Sequence, residues 1–215
     1  MARTLDPVAY AVRRDAFLSA TQRLMQTKGF EQLSIQDVLD ETDASRGAFY
    51  HYFDSKAALL DAVIERMVEN ATAAVAPIVD DPDRSAVEKF NGLFSGIYSW
   101  KAARADLMLA VMDVWTSDDN ATVREKFRRG VVAKLTPPLA SIVRQGVDEG
   151  TFDVASAAPS ARVLVALVLG ANEHATELFM AALAGQMPIP AIEDALLAYP
   201  EAFERILGAR PGSLR

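Results

Sequence analysis

The sequence predicts an all-α protein in two parts, a three-helix head joined by one long helix to a larger helical domain. Three observations predict it. Apolar residues recur at the three- and four-residue spacing of buried helix faces, cap and stop residues punctuate these stretches, and no strand-like alternation follows the loop Asp80-Asp81-Pro82-Asp83. The 215 residues can form one large or two modest domains and hold ample apolar content for a core.

The elements follow in order. Val8 to Lys28 reads as a first helix, with Phe17, Thr21, Leu24 and Met25 on one face and Arg13, Arg14 and Arg23 elsewhere. Gly29 stops it, and Phe30 is placed to fold back onto Met25. Ser34 caps a short second helix, with Asp37 three residues on and Ile35, Val38 and Leu39 forming its buried stripe. The polar run Asp40 to Asp43 breaks that stripe, and Ser45 caps a third helix, Arg46 to Phe53. Asp54 or Ser55 then caps a long helix, about 55–76, which runs through Leu59, Leu60, Val63, Met67 and Val75 until Pro77. Further helices are expected near 85–100, 104–117, 119–149, 157–184 and 190–208, with a loop from Gly150 to Ala155. Pro137-Pro138 should bend or break the helix they interrupt, and Pro200 should kink the last one.

Two short helices with a tight turn between them, Ser34 to Lys56, form a device for holding one helix in a DNA groove. Ser45 and the first backbone amides of the third helix can bind phosphate, and Arg46 can reach a phosphate or a guanine edge. Gly47 allows close approach. Phe49 and Phe53 are expected to anchor the helix, with Tyr50, His51 and Tyr52 on the outward surface.

The order of a capped short helix, a turn, then Ser45, Gly47, Phe49-Tyr50, Phe53 and Lys56 resembles the helix-turn-helix of TetR-like bacterial transcriptional regulators. The motif covers roughly the first quarter of the chain. Two positions depart from the family pattern: Asp43 stands where Gly is usual in the turn, and Leu39 where a small residue is usual on the first short helix. Asp tolerates the left-handed conformation that Gly adopts freely. The resemblance implies a DNA-binding head, 1–56, and a helical ligand-binding and dimerisation domain, 77–215. It implies phosphate contacts from Tyr50 and Lys56 and base-edge positions for Gln36 and Ala48, the latter offering only a methyl group. Ser34, Gln36, Ser45, Arg46, Gly47, Ala48, Tyr50, His51 and Lys56 are thus the expected DNA-binding residues.

Composition bounds the alternatives. No cysteine is present, so disulfides and thiolate metal sites are excluded. The longest apolar run, Val163 to Ala171, is short of the roughly 20 residues of a membrane span, and no leader pattern is visible, which predicts a cytoplasmic protein without a membrane partner. The net charge of −7 is unevenly placed: residues 1–56 hold seven cations against eight anions, so most of the excess acid lies beyond the head. Modest non-specific DNA affinity follows, with specific binding dependent on placed contacts and on a dimer.

The last two helices carry an association signal. Val163 to Gly170 is apolar on every face, and Ile192, Leu196, Tyr199, Phe203 and Ile206 alternate at spacings of four and three. Periodicity leaves intramolecular core and an interface equally open; the resemblance favours a homodimer through helices 157–184 and 190–208 that reads a near-palindromic double-stranded operator. In the larger domain Phe94, Tyr98, Met108, Met112, Trp115 and Phe127, with the polar Asn172 and Thr176, are candidates to line a pocket for a small, largely apolar effector. The competing reading is plain core for the aromatic and Met residues, and an interface patch for the polar ones. Catalysis finds little support: His174 with Glu173 and Glu177 lacks the paired motifs of helical di-metal sites, and no nucleophile motif or phosphate loop occurs. No metal or cofactor is expected. A helical protein-protein adaptor is the remaining alternative; DNA binding that weakens with salt separates the two.

Overall fold

The computed structural model describes residues 6–116 and 121–214, all of whose regular elements are helices. They are α1 (Pro7–Lys28), α2 (Ile35–Thr42), α3 (Arg46–Tyr50), α4 (Lys56–Val79), α5 (Ala86–Ala102), α6 (Ala105–Thr116), α7 (Ala121–Asp148), α8 (Ala157–Leu183), α9 (Pro190–Leu196) and α10 (Ala198–Leu207). The expected helix ends at 117 and 119 lie outside the described residues, as does Arg3.

Two compact units emerge, and their boundaries differ from a division at residues 56 and 77. Unit 1 gathers the chain to Met67 together with Lys101–Phe127; unit 2 holds Val68–Trp100 and Arg128–Arg215. In unit 1, α6 packs on α1. Phe17, Leu18, Met25, Leu33, Val38, Phe49, Leu59, Leu60 and Val63 are among its buried residues. Periodicity marks α6 as amphipathic but does not name the face it covers.

Unit 2 is built around Phe90 and Leu93 of α5, Leu135, Leu139, Ile142 and Val143 of α7, Leu164 and Val165 of α8, and Phe203 and Leu207 of α10. Phe203 stacks on Phe94 at 5.5 Å and meets Phe90 at 5.7 Å, so the C-terminal half of the 192–206 stripe is intramolecular core.

The prolines behave otherwise than expected. The helix ending at Pro77 runs on to Val79, because the bond lost there falls in the last turn. Pro137 and Pro138 lie inside a continuous α7. The two missing donors weaken the ladder, but Leu135, Leu139 and Ala140 are buried on either side and keep the helix from breaking there. Near Pro200 the chain breaks rather than kinks. Leu197 ends α9 and precedes α10, which puts Pro200 in the first turn of α10, where no intrahelical acceptor awaits its nitrogen.

By length and composition α8 is the one helix among the described residues able to cross a membrane. An 18-residue window of it has a mean hydropathy of 1.3, although the uninterrupted apolar run ends at Ala171. Ala161, Leu164 and Val165 are nevertheless buried in the core, and α8 packs on α9 and α10.

Candidate nucleic-acid interface

The reader is assembled from short-range bonds. Ser34 Oγ accepts the Asp37 N–H at 3.1 Å, while Asp37 Oδ2 accepts the Ser34 N–H and hydroxyl, each at 2.8 Å. This reciprocal cap satisfies donors that α2 would otherwise leave open. Lys28 Nζ pairs with Asp37 Oδ1 at 2.6 Å. That bond, reinforced by the two from Ser34, holds the Asp37 carboxyl well below the usual carboxylate range.

The turn follows at Asp43, whose φ of 47° and ψ of 50° are left-handed, a conformation that glycine adopts freely. The Ala44 N–H closes it on the Leu39 carbonyl at 3.0 Å, and Arg13 Nη2 donates to the Asp43 carbonyl at 3.3 Å. Leu39, bulkier than the family pattern, is buried. Ser45 then caps α3, its Oγ accepting the Ala48 N–H at 3.2 Å.

α3 is shorter than expected, ending at Tyr50. The chain continues as a turn in which the Phe53 N–H still reaches the Phe49 carbonyl at 3.0 Å. Phe49 and Phe53 are buried and meet the Phe17 ring edge-on at 5.7 and 6.0 Å, which fixes the face α3 turns inward. Ser45, Arg46, Gly47, Tyr50 and His51 are exposed on the other side. Tyr52 departs from expectation: it is half-buried, 4.6 Å from the Tyr10 ring and 5.5 Å from Phe17. Tyr10 was not singled out from sequence; its spacing of seven from Phe17 was the available signal.

Several expected contact groups already have partners. Gln36 Nε2 donates to Asp40 Oδ1 at 2.8 Å along α2. Lys56 Nζ lies 4.4 Å from the Phe30 ring centre and donates to the Glu31 carbonyl at 3.2 Å. Desolvation lowers its pKa below the ordinary lysine value. Ala48 is half-buried, and Ser34 is exposed at its cap position.

The candidate effector residues divide between the units. Met108, Met112, Trp115 and Phe127 belong to unit 1, where Trp115 and Phe127 meet edge-on at 4.6 Å. Phe94, Tyr98, Asn172 and Thr176 belong to unit 2. There Phe94 stacks on Phe203, Tyr98 is exposed, and the Thr176 hydroxyl donates to the Asn172 carbonyl at 2.8 Å. A cleft of about 110 Å³ in unit 2 is lined instead by Thr72, Val75, Ala76, Val79, Asp80, Leu93, Leu135 and Pro138. Among the described residues no group of three or more acidic or histidine side chains could hold a metal ion.

Residues 17–63 match the family profile of bacterial regulatory proteins, tetR family. An HTH-type transcriptional regulator from the lacX 3′ region of Lactococcus lactis is 35% identical over 86 residues, covering 40% of this chain and 44% of that protein. The HTH-type transcriptional regulator EthR of Mycolicibacterium smegmatis is 28% identical over 144 residues, or 59% of this chain and 66% of that protein. The matches thus span less than two thirds of either relative. In fold, the chain resembles a crystal structure from Syntrophomonas wolfei ascribed to the TetR family of transcriptional regulators. The TM-score is 0.65 at 16% identity, and the match covers 94% of this chain and 99% of that one.

Proposed function

We propose that this chain, a TetR-like family member, is a DNA-binding transcriptional regulator, and specifically a repressor that a small, largely apolar molecule releases from a near-palindromic operator. The observation that carries this reading is the head itself. A capped α2, a left-handed turn at Asp43 and a short α3 anchored by Phe49 leave Ser45, Arg46, Gly47, Tyr50 and His51 on one exposed face. Arg46 and His51 offer donors to base edges or phosphates, and Tyr50 and Lys56 offer donors to the backbone.

The reader is proposed to work as a homodimer, in the cytoplasm, with α8 as the main interface helix. Apolar side chains left in contact with water around this helix support this: Val163 is 49% and Leu183 63% exposed, and Leu178, Phe179 and Met180 are only half-buried. Water contact over such apolar area disfavours the monomer. Two-fold pairing would present two reading helices to half-sites roughly 34 Å apart, or a multiple of that.

Release would run through α4, whose first half belongs to unit 1 and second half to unit 2. An effector binding the larger domain acts by preferring the arrangement whose two readers no longer match the operator spacing. Two experiments test the reading. Duplexes recovered by the full chain from a random-sequence pool should share a near-palindrome, and no enrichment would refute DNA recognition. A compound that raises the melting temperature should, at saturation, weaken binding to that duplex; unchanged affinity would refute the coupling while leaving the DNA-binding reading intact.

A further inference from the structure

We propose that Tyr10, which lies outside the matched residues 17–63, is a positioning residue that sets the pose of His51 on the reading face and thereby the sequence preference of the head. The inference rests on the DNA-binding reading above.

α3 has five helical residues, too few to hold its own course in water. Its support comes from α1. Tyr10, Arg13, Arg14 and Phe17 fall at the spacing i, i+3, i+4, i+7 of one helix stripe, and each touches a different part of the reader. Arg13 Nη2 holds the Asp43 carbonyl of the turn, the Arg14 guanidinium lies 5.7 Å from the Phe53 ring centre, and Phe17 meets Phe49 from below. Tyr10 takes the remaining end. Its ring lies 4.6 Å from Tyr52 at a tilt of 37° and meets His51 edge-on at 5.8 Å and 77°.

His51 is exposed, yet its ring is flanked from two elements, since Tyr52 also meets it edge-on at 5.2 Å and 83°. Edge-to-face contacts are directional, so the pair fixes the plane of the imidazole before any DNA arrives. A donor held in one orientation loses little rotational freedom on binding and discriminates sharply between base edges, whereas a freely turning one does neither. Tyr10 is assigned this role because it contacts both Tyr52 and His51 while standing on another helix.

The test is a double-mutant cycle in the full chain, read as affinity for the duplexes that the wild type recovers from a random-sequence pool. Tyr10→Ala should weaken binding to the best duplex about tenfold and relax preference at one base step in each half-site. Tyr10→Phe should stay within about twofold, because the ring rather than the hydroxyl acts. In a His51→Ala background, Tyr10→Ala should cost little more. Equal losses in both backgrounds, or a Tyr10→Phe loss as large as that of Tyr10→Ala, would overturn the assignment. If Tyr10→Ala does not fold, Tyr10→Leu keeps apolar bulk without the ring and carries the same cycle. A wild type that recovers no duplex removes both this inference and the reading beneath it; a wild type that binds, with the Tyr10 variants unchanged, removes this inference only.

Discussion

A phosphate arriving at Lys56 would draw the ammonium away from the Phe30 ring and the Glu31 carbonyl, so this side chain serves the head as well as the proposed complex. Lys56→Ala should therefore lower both DNA affinity and the melting temperature of the head. Tyr50 is different, because its ring rests edge-on against Phe49 while much of the side chain stays in solvent. Tyr50→Phe removes only the hydroxyl and should weaken operator binding about tenfold, the worth of one hydrogen bond to a charged group, with an unchanged melting curve. Asp37 adds a pH dependence. Its folded pKa is depressed, chiefly by the Lys28 bond, so its contribution to stability is present above the ordinary carboxylate pKa near ~4 and is lost as pH falls through that value and below. Thermal melts between pH 6 and pH 3 should show a decline that Asp37→Asn flattens. At this scale the sequence was informative where bonds are local, as at Ser34, Asp37, Asp43 and Ser45. It was silent on Tyr10 and wrong in turning Tyr52 outward, because their meeting depends on the packing of α1 against the reader.

The helices were legible in order through their caps and periodicity, but the stretch expected as one helix at 190–208 is two, α9 and α10, and the misreadings cluster at prolines. A proline in sequence announces a missing donor, but the packing that keeps the helix unbroken is invisible until the other helices are in place, as around Leu135 and Leu139. Gly146 shows the converse. A Cβ there would lie 2.1 Å from the Phe152 ring, which is buried after folding back so that the Phe152 N–H reaches the Gly146 carbonyl at 3.0 Å. Gly to Ala in a helix ordinarily stabilises by up to about 1 kcal/mol. Overpacking should reverse the sign here, and Gly146→Ala should destabilise unit 2 by about 1–3 kcal/mol in chemical denaturation.

For the molecule as a whole, charge and assembly decide how the head is used. Arg13, Arg23, Lys28 and Lys56 bond to Asp43, Glu41, Asp37 and Glu31 within unit 1, so few of the head's cations stand ready for phosphates. With about two phosphate-neutralising cations per head, a dimer should show a log affinity against log salt slope of about −3 to −4, shallow for a specific DNA binder. The joining of residues 101–127 to unit 1 was not legible, since an amphipathic stripe specifies that a helix is covered but not by what. The measurement that bears most directly on the central claim is a footprint of the full chain on a duplex it has selected. The account predicts protection of two inverted half-sites centred one helical turn, or a multiple of it, apart, and loss of that protection in Tyr50→Phe/Lys56→Ala without loss of the dimer. Protection without two-fold symmetry, or protection unaffected by that pair of substitutions, would contradict it.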